Sequence, residues 1–140
     1  MNFTIHPVTW HDAEPMLRAV REAVFIREQG VPVELEWDGM DETSHHVLAL
    51  SSTGQAIGCG RILPNAHIGR IAVMPEWRGK KVGTAILEGL LAYASSRHYP
   101  EVDLDAQVQA LPFYRNFGFI EEGEDFLDAG IPHRKIRMKL

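Results

Sequence analysis

Apolar residues recur along the chain with two different periods, and the change of period separates predicted helices from predicted strands. Between Asp12 and Gly30 the period is helical, with Asp12 expected as the N-cap and Gly30 as the stop. A second and clearer helical pattern runs from Val82 to about Arg97, and residues 110–116 predict a short third helix. Three helices of unequal length are therefore expected.

Short alternating or fully apolar stretches predict the strands. They cover residues 2–8, 46–51, 56–63, 67–74, 101–107, 119–126 and 135–140. Between them, residues 31–45 carry five acidic side chains, a proline and a glycine, which is typical of a solvated connection. The order of strands and helices implies a mixed sheet with helices on its faces, an α+β or α/β fold.

Size and composition limit the class of protein. The chain has 140 residues and a mass of 15.8 kDa, which suits one domain spanning residues 1–140. No apolar stretch approaches the roughly 20 residues of a membrane span, and the first ten residues lack the features of a signal peptide. We therefore expect a cytoplasmic protein without a membrane partner.

Net charge and cysteine content exclude further classes. The formal charge of −5 and the pI near 5.8 argue against binding to a nucleic-acid backbone, which needs a broad basic face. Cys59 is the single cysteine, and no Cys or His neighbours stand at zinc-ligand spacing. No metal is expected, and Cys59 is interpreted as a small buried hydrophobic residue rather than as a nucleophile.

Positive charge is concentrated at one predicted helix start, in the stretch RIAVMPEWRGKKVGT at residues 70–84. Arg78, Lys80 and Lys81 surround Gly79, and Gly83 follows as the helical pattern begins. A helix N-terminus already favours an anion, and glycines let the backbone approach it. Because only two glycines are present, with three residues between them, the stretch fits neither a Walker loop nor a dinucleotide fingerprint.

The segment from Arg78 to Thr84 resembles the pyrophosphate loop Arg/Gln-x-x-Gly-x-Gly/Ala of the Gcn5-related N-acetyltransferases (GNAT). Lys81 stands where that family usually has its first glycine, and we expect ordinary helical backbone angles there. Further stretches are similar to the ElaA-like subgroup: residues 24–32, 38–41, 46–49, 105–119 and 130–134. The resemblance implies a mostly antiparallel mixed sheet of six to seven strands flanked by helices.

The resemblance also implies acetyl-coenzyme A as the acyl donor. Its pantetheine arm would lie in a V-shaped gap between the strands ending at Met74 and Gln107, paired with the backbone of Ile71 and Val73. The donor contacts implied in this way are Ile71, Ala72, Val73, Arg78, Gly79, Lys80, Lys81, Val82, Gly83, Thr84, Gln107, Phe113 and Tyr114.

Attack of an amine on a thioester needs an oxyanion site, an acid for the thiolate and a base for the amine. Similarity to the family implies the backbone N–H of Val73 for the oxyanion and Tyr114 for the acid, since a tyrosine pKa of about 10 is near a thiol's roughly 8.5. The base is left open among Glu28, His46, Asp105 and His133. Substrate contacts are expected from Glu28, Gln29, Arg61 and His133.

The leading functional hypothesis is an acetyl-coenzyme A dependent N-acetyltransferase that acts by direct transfer to a primary amine. The acceptor would be a small molecule, a lysine side chain or a protein N-terminus, and the acidic residues 34–42 could attract a cationic one. The alternative is a non-catalytic module that binds or senses acyl-coenzyme A. Exposed strand edges leave both a monomer and a homodimer open.

Overall fold

The computed structural model describes residues 2–140, which form seven strands, four α-helices and shorter helical turns. The strands are β1 Phe3–Val8, β2 His45–Ser51, β3 Ala56–Ile62, β4 His67–Val73, β5 Glu101–Gln107, β6 Ile120–Asp128 and β7 Ile131–Lys139. The α-helices are α1 Trp10–Arg21, α2 Val33–Glu36, α3 Val82–Ser96 and α4 Leu111–Arg115. A π-helical segment, Glu22–Glu28, continues α1, and single 3₁₀ turns cover Pro75–Trp77 and Val108–Ala110.

All seven strands belong to one mixed sheet in the order β1-β2-β3-β4-β5-β7-β6. Every neighbouring pair is antiparallel except β4 and β5, which run parallel. The predicted fold class, a mostly antiparallel sheet of six to seven strands with flanking helices, is confirmed.

The parallel pair opens along its length. Only His67 with Asp103 and Ile68 with Leu104 are paired between β4 and β5. Just beyond these pairs β4 contains an extra residue relative to β3, and Arg70 there has a φ of 52°. A bulge of this kind bends a strand and increases its twist, so β4 leaves β5 and a V-shaped gap forms at their carboxyl ends.

Helices cover the two faces of the sheet. On one face α3 buries Ile86 and Leu90 against β3, where Gly58 and Gly60 allow the close approach. A Cβ added at these glycines would lie 2.9 and 2.8 Å from Ile86 side-chain atoms, so larger residues would push α3 outward. On the other face α1 packs through Leu17. No helix within residues 2–140 is long and apolar enough to cross a bilayer.

Several predicted boundaries were wrong for identifiable reasons. The N-cap of α1 is Thr9, whose side-chain oxygen accepts from the Asp12 amide at 3.1 Å, so the helix begins before Asp12. Strand β7 begins at Ile131 rather than at residue 135. Ala129 and Gly130 both have positive φ, and this tight turn allows β6 and β7 to pair immediately on either side of it.

The acidic connection is also different from the expectation of a solvated loop. It contains α2, and three of its acids alternate with three arginines in a closed ring of ion pairs with N–O distances from 2.5 to 3.2 Å. In order around this ion-pair ring the residues are Arg21, Glu36, Arg70, Asp38, Arg61 and Asp41.

Most of the ion-pair ring is removed from solvent. Arg21, Glu36 and Arg61 are no more than 4% exposed. Burial alone would raise the pKa of Asp41, but hydrogen bonds and charge from Arg21 and Arg61 hold it below its usual range. The ring therefore ties α1, α2 and two strands together, and its acids are neutralised within the fold.

Candidate active site

The gap between β4 and β5 opens into a cavity of about 270 Å³, here called the β4–β5 cavity. Its other walls come from the π-helical segment, α2, α4 and the turn between β6 and β7. Six residues named from the sequence line it: Gln29, Ile71, Asp105, Gln107, Tyr114 and His133. The structure thus brings residues from five separate parts of the chain to one place.

Residues 78–84, here called the basic loop, lead from a 3₁₀ turn into α3. Gly79 has a φ of 75°, and Lys81, the N-cap of α3, has a φ of 67° and a ψ of 19°. The expectation of ordinary helical angles at Lys81 was wrong, because the chain must reverse here to enter the helix and does so in the left-handed region. No side chain of the described residues caps α3, so its first N–H groups remain available to an anion.

A second hollow lies beside the basic loop and the end of β4. It is lined by Val73, Trp77, Arg78, Gly79, Lys81, Val82, Gly83, Thr84 and Phe113. A Cβ added at Gly83 would lie 3.8 Å from both Phe113 and Val73, so Gly83 lies close to these two side chains. A hollow beside free helix N–H groups and two cationic side chains, Arg78 and Lys81, suits a phosphate-bearing chain.

Two of the residues predicted to contact acetyl-coenzyme A, Ala72 and Lys80, do not line this hollow. Ala72 turns its side chain toward α1 and is buried there, so only its backbone can face a ligand. Lys80 is exposed and lies outside the residues lining the hollow. Their contribution would be a backbone contact for Ala72 and long-range charge for Lys80.

Arg78 connects the basic loop to the π-helical segment. Its Nη1 and Nη2 donate to the two carboxylate oxygens of Glu28 at 2.7 and 2.6 Å, and its Nε donates to the Val73 carbonyl at 3.0 Å. The hydrogen bonds from Arg78 lower the pKa of Glu28 below its usual range. While this pair persists, Glu28 is a poor proton acceptor.

Tyr114 lies on α4 and forms part of the wall of the β4–β5 cavity. Its ring packs edge-on against Phe113 and Phe119, at 5.0 and 5.7 Å between centroids. Burial raises the pKa of Tyr114 to about 12, so the hydroxyl keeps its proton throughout the neutral range. It can therefore act as a donor at a site of developing negative charge.

Gln29 and Gln107 meet across the mouth of the cavity. The Gln107 amide nitrogen is 2.9 Å from the Gln29 side-chain oxygen, and Gln109 donates in turn to Gln107. Gln29 follows the π-helical segment and Gln107 ends β5, so this contact spans the gap. Gln107, expected to contact the acyl donor, and Gln29, expected to contact the acceptor, are therefore in direct contact.

His46 and Arg61, both expected at the site, are not among the residues that line either hollow. His46 is 1% exposed, with Nε2 at 2.8 Å from the Asp41 carbonyl, and burial lowers its pKa. Arg61 belongs to the ion-pair ring, bonded to Asp38 and Asp41. Both side chains pack beneath α1, because the β2–β3 pair turns their positions to that face.

Cys59 is buried between α1 and the sheet. Burial raises the pKa of its thiol to about 12, so it stays protonated at neutral pH. It is a packing residue, as the sequence predicted.

Comparison with known proteins identifies the family. Residues 15–140 match the model of the acetyltransferase (GNAT) domain. The chain belongs to the GNAT acetyltransferase family. The N-acetyltransferase YjcF of Bacillus subtilis, described as uncharacterized, is 37% identical over 118 residues, which cover 81% of this chain and 84% of that protein.

Within the GNAT family, the chain is similar to the ElaA-like subgroup. ElaA of Escherichia coli is 32% identical over 126 residues, 84% of this chain and 81% of that protein. Its crystal structure aligns with a TM-score of 0.87, covering 99% of this chain and all of that one at 28% identity. The resemblance noted from the sequence is thus confirmed.

A GNAT structure from Elizabethkingia anophelis, solved with acetyl-coenzyme A bound, aligns with a TM-score of 0.76. It covers 99% of each chain at 20% identity and so shows the shared fold.

Of the four residues considered as general bases, His133 lies at the β4–β5 cavity. Its Nδ1 is 2.6 Å from the Ile131 carbonyl, and its ring stacks on Phe126. Because a carbonyl only accepts, Nδ1 carries the proton and a neutral ring has a free Nε2. Asp105 also lines the cavity, so two of the four candidate bases from the sequence lie at it.

His67 and Asp103, which also lie at this site, were not predicted from the sequence. His67 lines the same cavity and its Nδ1 is 2.5 Å from an Asp103 carboxylate oxygen. The two residues are 36 positions apart and meet only because the parallel pairing of β4 and β5 sets His67 opposite Asp103. Alternation along each predicted strand does not give the register between two strands, so this contact could not be predicted.

Proposed function

We propose that this chain is an acetyl-coenzyme A dependent N-acetyltransferase that transfers the acetyl group directly to a primary amine. The acceptor would be a small molecule, a lysine side chain or a protein N-terminus. One observation carries the proposal: the gap between β4 and β5 joins the basic loop at one end to the Tyr114 cavity at the other. When bound, acetyl-coenzyme A supplies the thioester whose carbonyl carbon the amine attacks.

The donor half of the site would be built from backbone and cations. The N–H groups at the start of α3, with Arg78 and Lys81, would hold the pyrophosphate. Arg78 would exchange the Glu28 carboxylate for phosphate oxygens, since both offer a planar guanidinium two acceptors. The free edge of β4 would pair with the pantetheine amides.

The N–H of Val73 is well directed for the oxyanion role. Met74 donates its own N–H to the Ile57 carbonyl of β3 at 2.9 Å. Because successive residues of a strand direct their N–H groups to opposite edges, that of Val73 is directed toward the gap. The Val73 carbonyl, which accepts from Arg78, points the same way. A backbone N–H fixed in this orientation can stabilise negative charge on the carbonyl oxygen.

Tyr114 would serve the leaving sulfur. With its pKa raised to about 12, complete proton transfer to a thiolate of pKa roughly 8.5 is uphill by about 5 kcal/mol. Its role is therefore to donate a hydrogen bond that stabilises the sulfur as the C–S bond breaks. The packing of Phe113 and Phe119 around the ring holds the hydroxyl donor in place.

The test is release of coenzyme A thiol from acetyl-coenzyme A across four amines: spermidine, glucosamine, 2-phenylethylamine and Nα-acetyl-lysine amide. Tyr114→Phe should lower turnover about 100-fold, with coenzyme A affinity changed by less than about twofold. Tyr99→Phe, which packs against Tyr93 behind α3, is the matched control. Unchanged turnover in Tyr114→Phe would refute the role of Tyr114. Coenzyme A binding without amine-dependent thiol release would instead favour a binding module.

A further inference from the structure

We propose that His67, oriented by Asp103, accepts the proton of the acceptor ammonium, and that Asp105 binds this ammonium at the start of the gap. The proposal rests on the proposed function and assigns the acceptor class as a cationic primary amine. His67 is then a catalytic residue, Asp105 a substrate-binding residue and Asp103 a positioning residue.

The contacts of the imidazole determine what each nitrogen can do. Nδ1 lies 2.5 Å from an Asp103 oxygen, and Nε2 lies 3.9 Å from an Asp105 oxygen. Because the Asp103 carboxylate can only accept, Nδ1 carries a proton and the neutral ring presents a lone pair at Nε2. The second distance is too long for a direct hydrogen bond, but one donor nitrogen can lie within bonding distance of both atoms.

His67 and Asp105 lie where an acceptor amine can reach them. His67 and Asp105 both line the β4–β5 cavity that Tyr114 also lines. The side chains of His67, Asp103 and Asp105 are 32, 28 and 34% exposed, which leaves them reachable from solvent but partly shielded. An ammonium in the cavity can therefore contact the Asp105 carboxylate and the His67 imidazole.

The protons balance as follows. The ammonium gives one proton to Nε2, which forms an imidazolium stabilised by Asp103 and leaves a neutral amine. The amine nitrogen then forms its bond to the acetyl carbon while the C–S bond breaks, and its second proton passes through water to the leaving sulfur. The imidazolium returns its proton to solvent, so the sum is ammonium plus thioester giving amide, thiol and one proton.

The other proton acceptors are less suited to this role. His133 bonds to a backbone carbonyl rather than to a carboxylate and stacks on Phe126, so an imidazolium there lacks a countercharge. Glu28 is engaged with both terminal nitrogens of Arg78. His67 alone among these three combines a carboxylate at one nitrogen with an open side at the other.

Charged groups on the neighbouring strands also act on the pair. Lys135 and Arg137 of β7 stand opposite Asp105 and Asp103 in the register. Arg137 is itself paired with Glu101 and Glu122, at 2.8 and 2.9 Å. On the other side, Arg70 of β4 belongs to the ion-pair ring. The cations near the dyad are therefore partly neutralised by other acids.

Kinetics with the four amines above separate the three roles. In His67→Gln, kcat/KM should fall about 100-fold at pH 7, and the deficit should shrink as pH rises toward an alkylammonium pKa near 10, where neutral amine is already abundant. Asp105→Asn should raise the KM for amine about tenfold with kcat nearly unchanged, whereas Asp103→Asn should lower kcat without changing that KM. His11→Gln and Glu88→Gln, both exposed on helices, are matched controls.

A second measurement needs no turnover. Nitrogen-15 NMR of the imidazoles in the wild type should show His67 protonated at Nδ1 when neutral, and Asp103→Asn should change that tautomer. Protonation at Nε2, or equal kcat/KM in wild type and His67→Gln at all pH values, would overturn this inference while leaving the proposed function intact. Absence of thiol release by the wild type with every amine would overturn both.

Discussion

Two groups of basic residues in this protein have similar chemistry and opposite surroundings. The arginines of the ion-pair ring are each bonded to two carboxylates, and Arg21 and Arg61 are almost completely buried. In the basic loop, Lys80 and Lys81 are exposed and the Arg78 side chain is 43% exposed. The ring satisfies its own charges, whereas the loop leaves cations and helix N–H groups directed at solvent.

The contrast shows how burial separates a structural charge from a binding one. A buried ion must be compensated within the fold, and removal of one partner leaves the other uncompensated. An exposed cation at a helix start costs little to maintain and can be compensated by a ligand. The acidic residues 34–42 therefore give little reason to expect a cationic acceptor, since Glu36, Asp38 and Asp41 are neutralised internally.

The largest expected effect is on stability, at the ion-pair ring. Arg21→Ala should lower the free energy of unfolding by about 3–5 kcal/mol, because Glu36 and Asp41 would stay buried while each loses one of its two arginine partners. Urea denaturation measures this change. Glu14→Ala, which removes the exposed Glu14–Arg18 pair, should cost under about 1 kcal/mol. Equal effects of the two substitutions would contradict the difference in stability between buried and exposed ion pairs.

Arg78→Ala should weaken coenzyme A binding by roughly 10- to 100-fold, the value of one or two charge-assisted hydrogen bonds. Isothermal titration calorimetry provides the measurement. Arg97→Ala, at the opposite end of α3, is the control for net charge and should leave the affinity within about twofold. A loss of the same size in both variants would show that general charge, rather than the loop, holds the ligand.

Glu28→Gln should change coenzyme A affinity in the opposite direction from Arg78→Ala. Without the carboxylate, Arg78 has no charged partner to give up, so coenzyme A affinity should rise by several-fold. The same titration at increasing salt is informative, because a competing exposed ion pair weakens as salt rises. Weaker binding in Glu28→Gln would mean that the pair organises the loop for its ligand instead of competing with it.

The smallest effects are expected at Lys81, where conformation and charge can be separated. Lys81→Gly should raise the free energy of unfolding by about 0.5–1 kcal/mol, because glycine adopts a φ of 67° without a steric penalty. Lys81→Ala keeps the penalty and removes only the charge, so it should reduce the salt dependence of coenzyme A binding. If glycine destabilises the protein, the left-handed angle is not a source of strain.

The fold was largely predictable from the sequence, but the arrangement of the candidate site was predictable only in part. Local patterns found all seven strands, and β5 was predicted to the residue, because period-2 alternation is a local property. The basic loop was predicted from its charge and glycines at a helix start, whereas Tyr114 and Gln107 were assigned to the site through resemblance to GNAT motifs. His67 was missed because its partner Asp103 is defined by the pairing of β4 with β5, which no local pattern reveals.

The ion-pair ring shows a similar limit of sequence reasoning. Composition indicated a solvated acidic loop, yet Arg21 lies 15 residues before Glu36 and Arg61 lies 20 residues after Asp41. Only the packing of α1 across β3 and β4 brings these charges together. Arg61 and His46 were expected at the substrate for the same reason, since their face of the sheet was not defined by the sequence.

Mass spectrometry after reaction with acetyl-coenzyme A labelled with carbon-13 in the acetyl group tests the central claim most directly. We predict that the label appears as an amide on an added primary amine and that its transfer depends on Tyr114. The intact protein, including Cys59, should carry no label. Label released only as free acetate, or retained covalently on the protein, would contradict direct transfer to an amine at the β4–β5 gap.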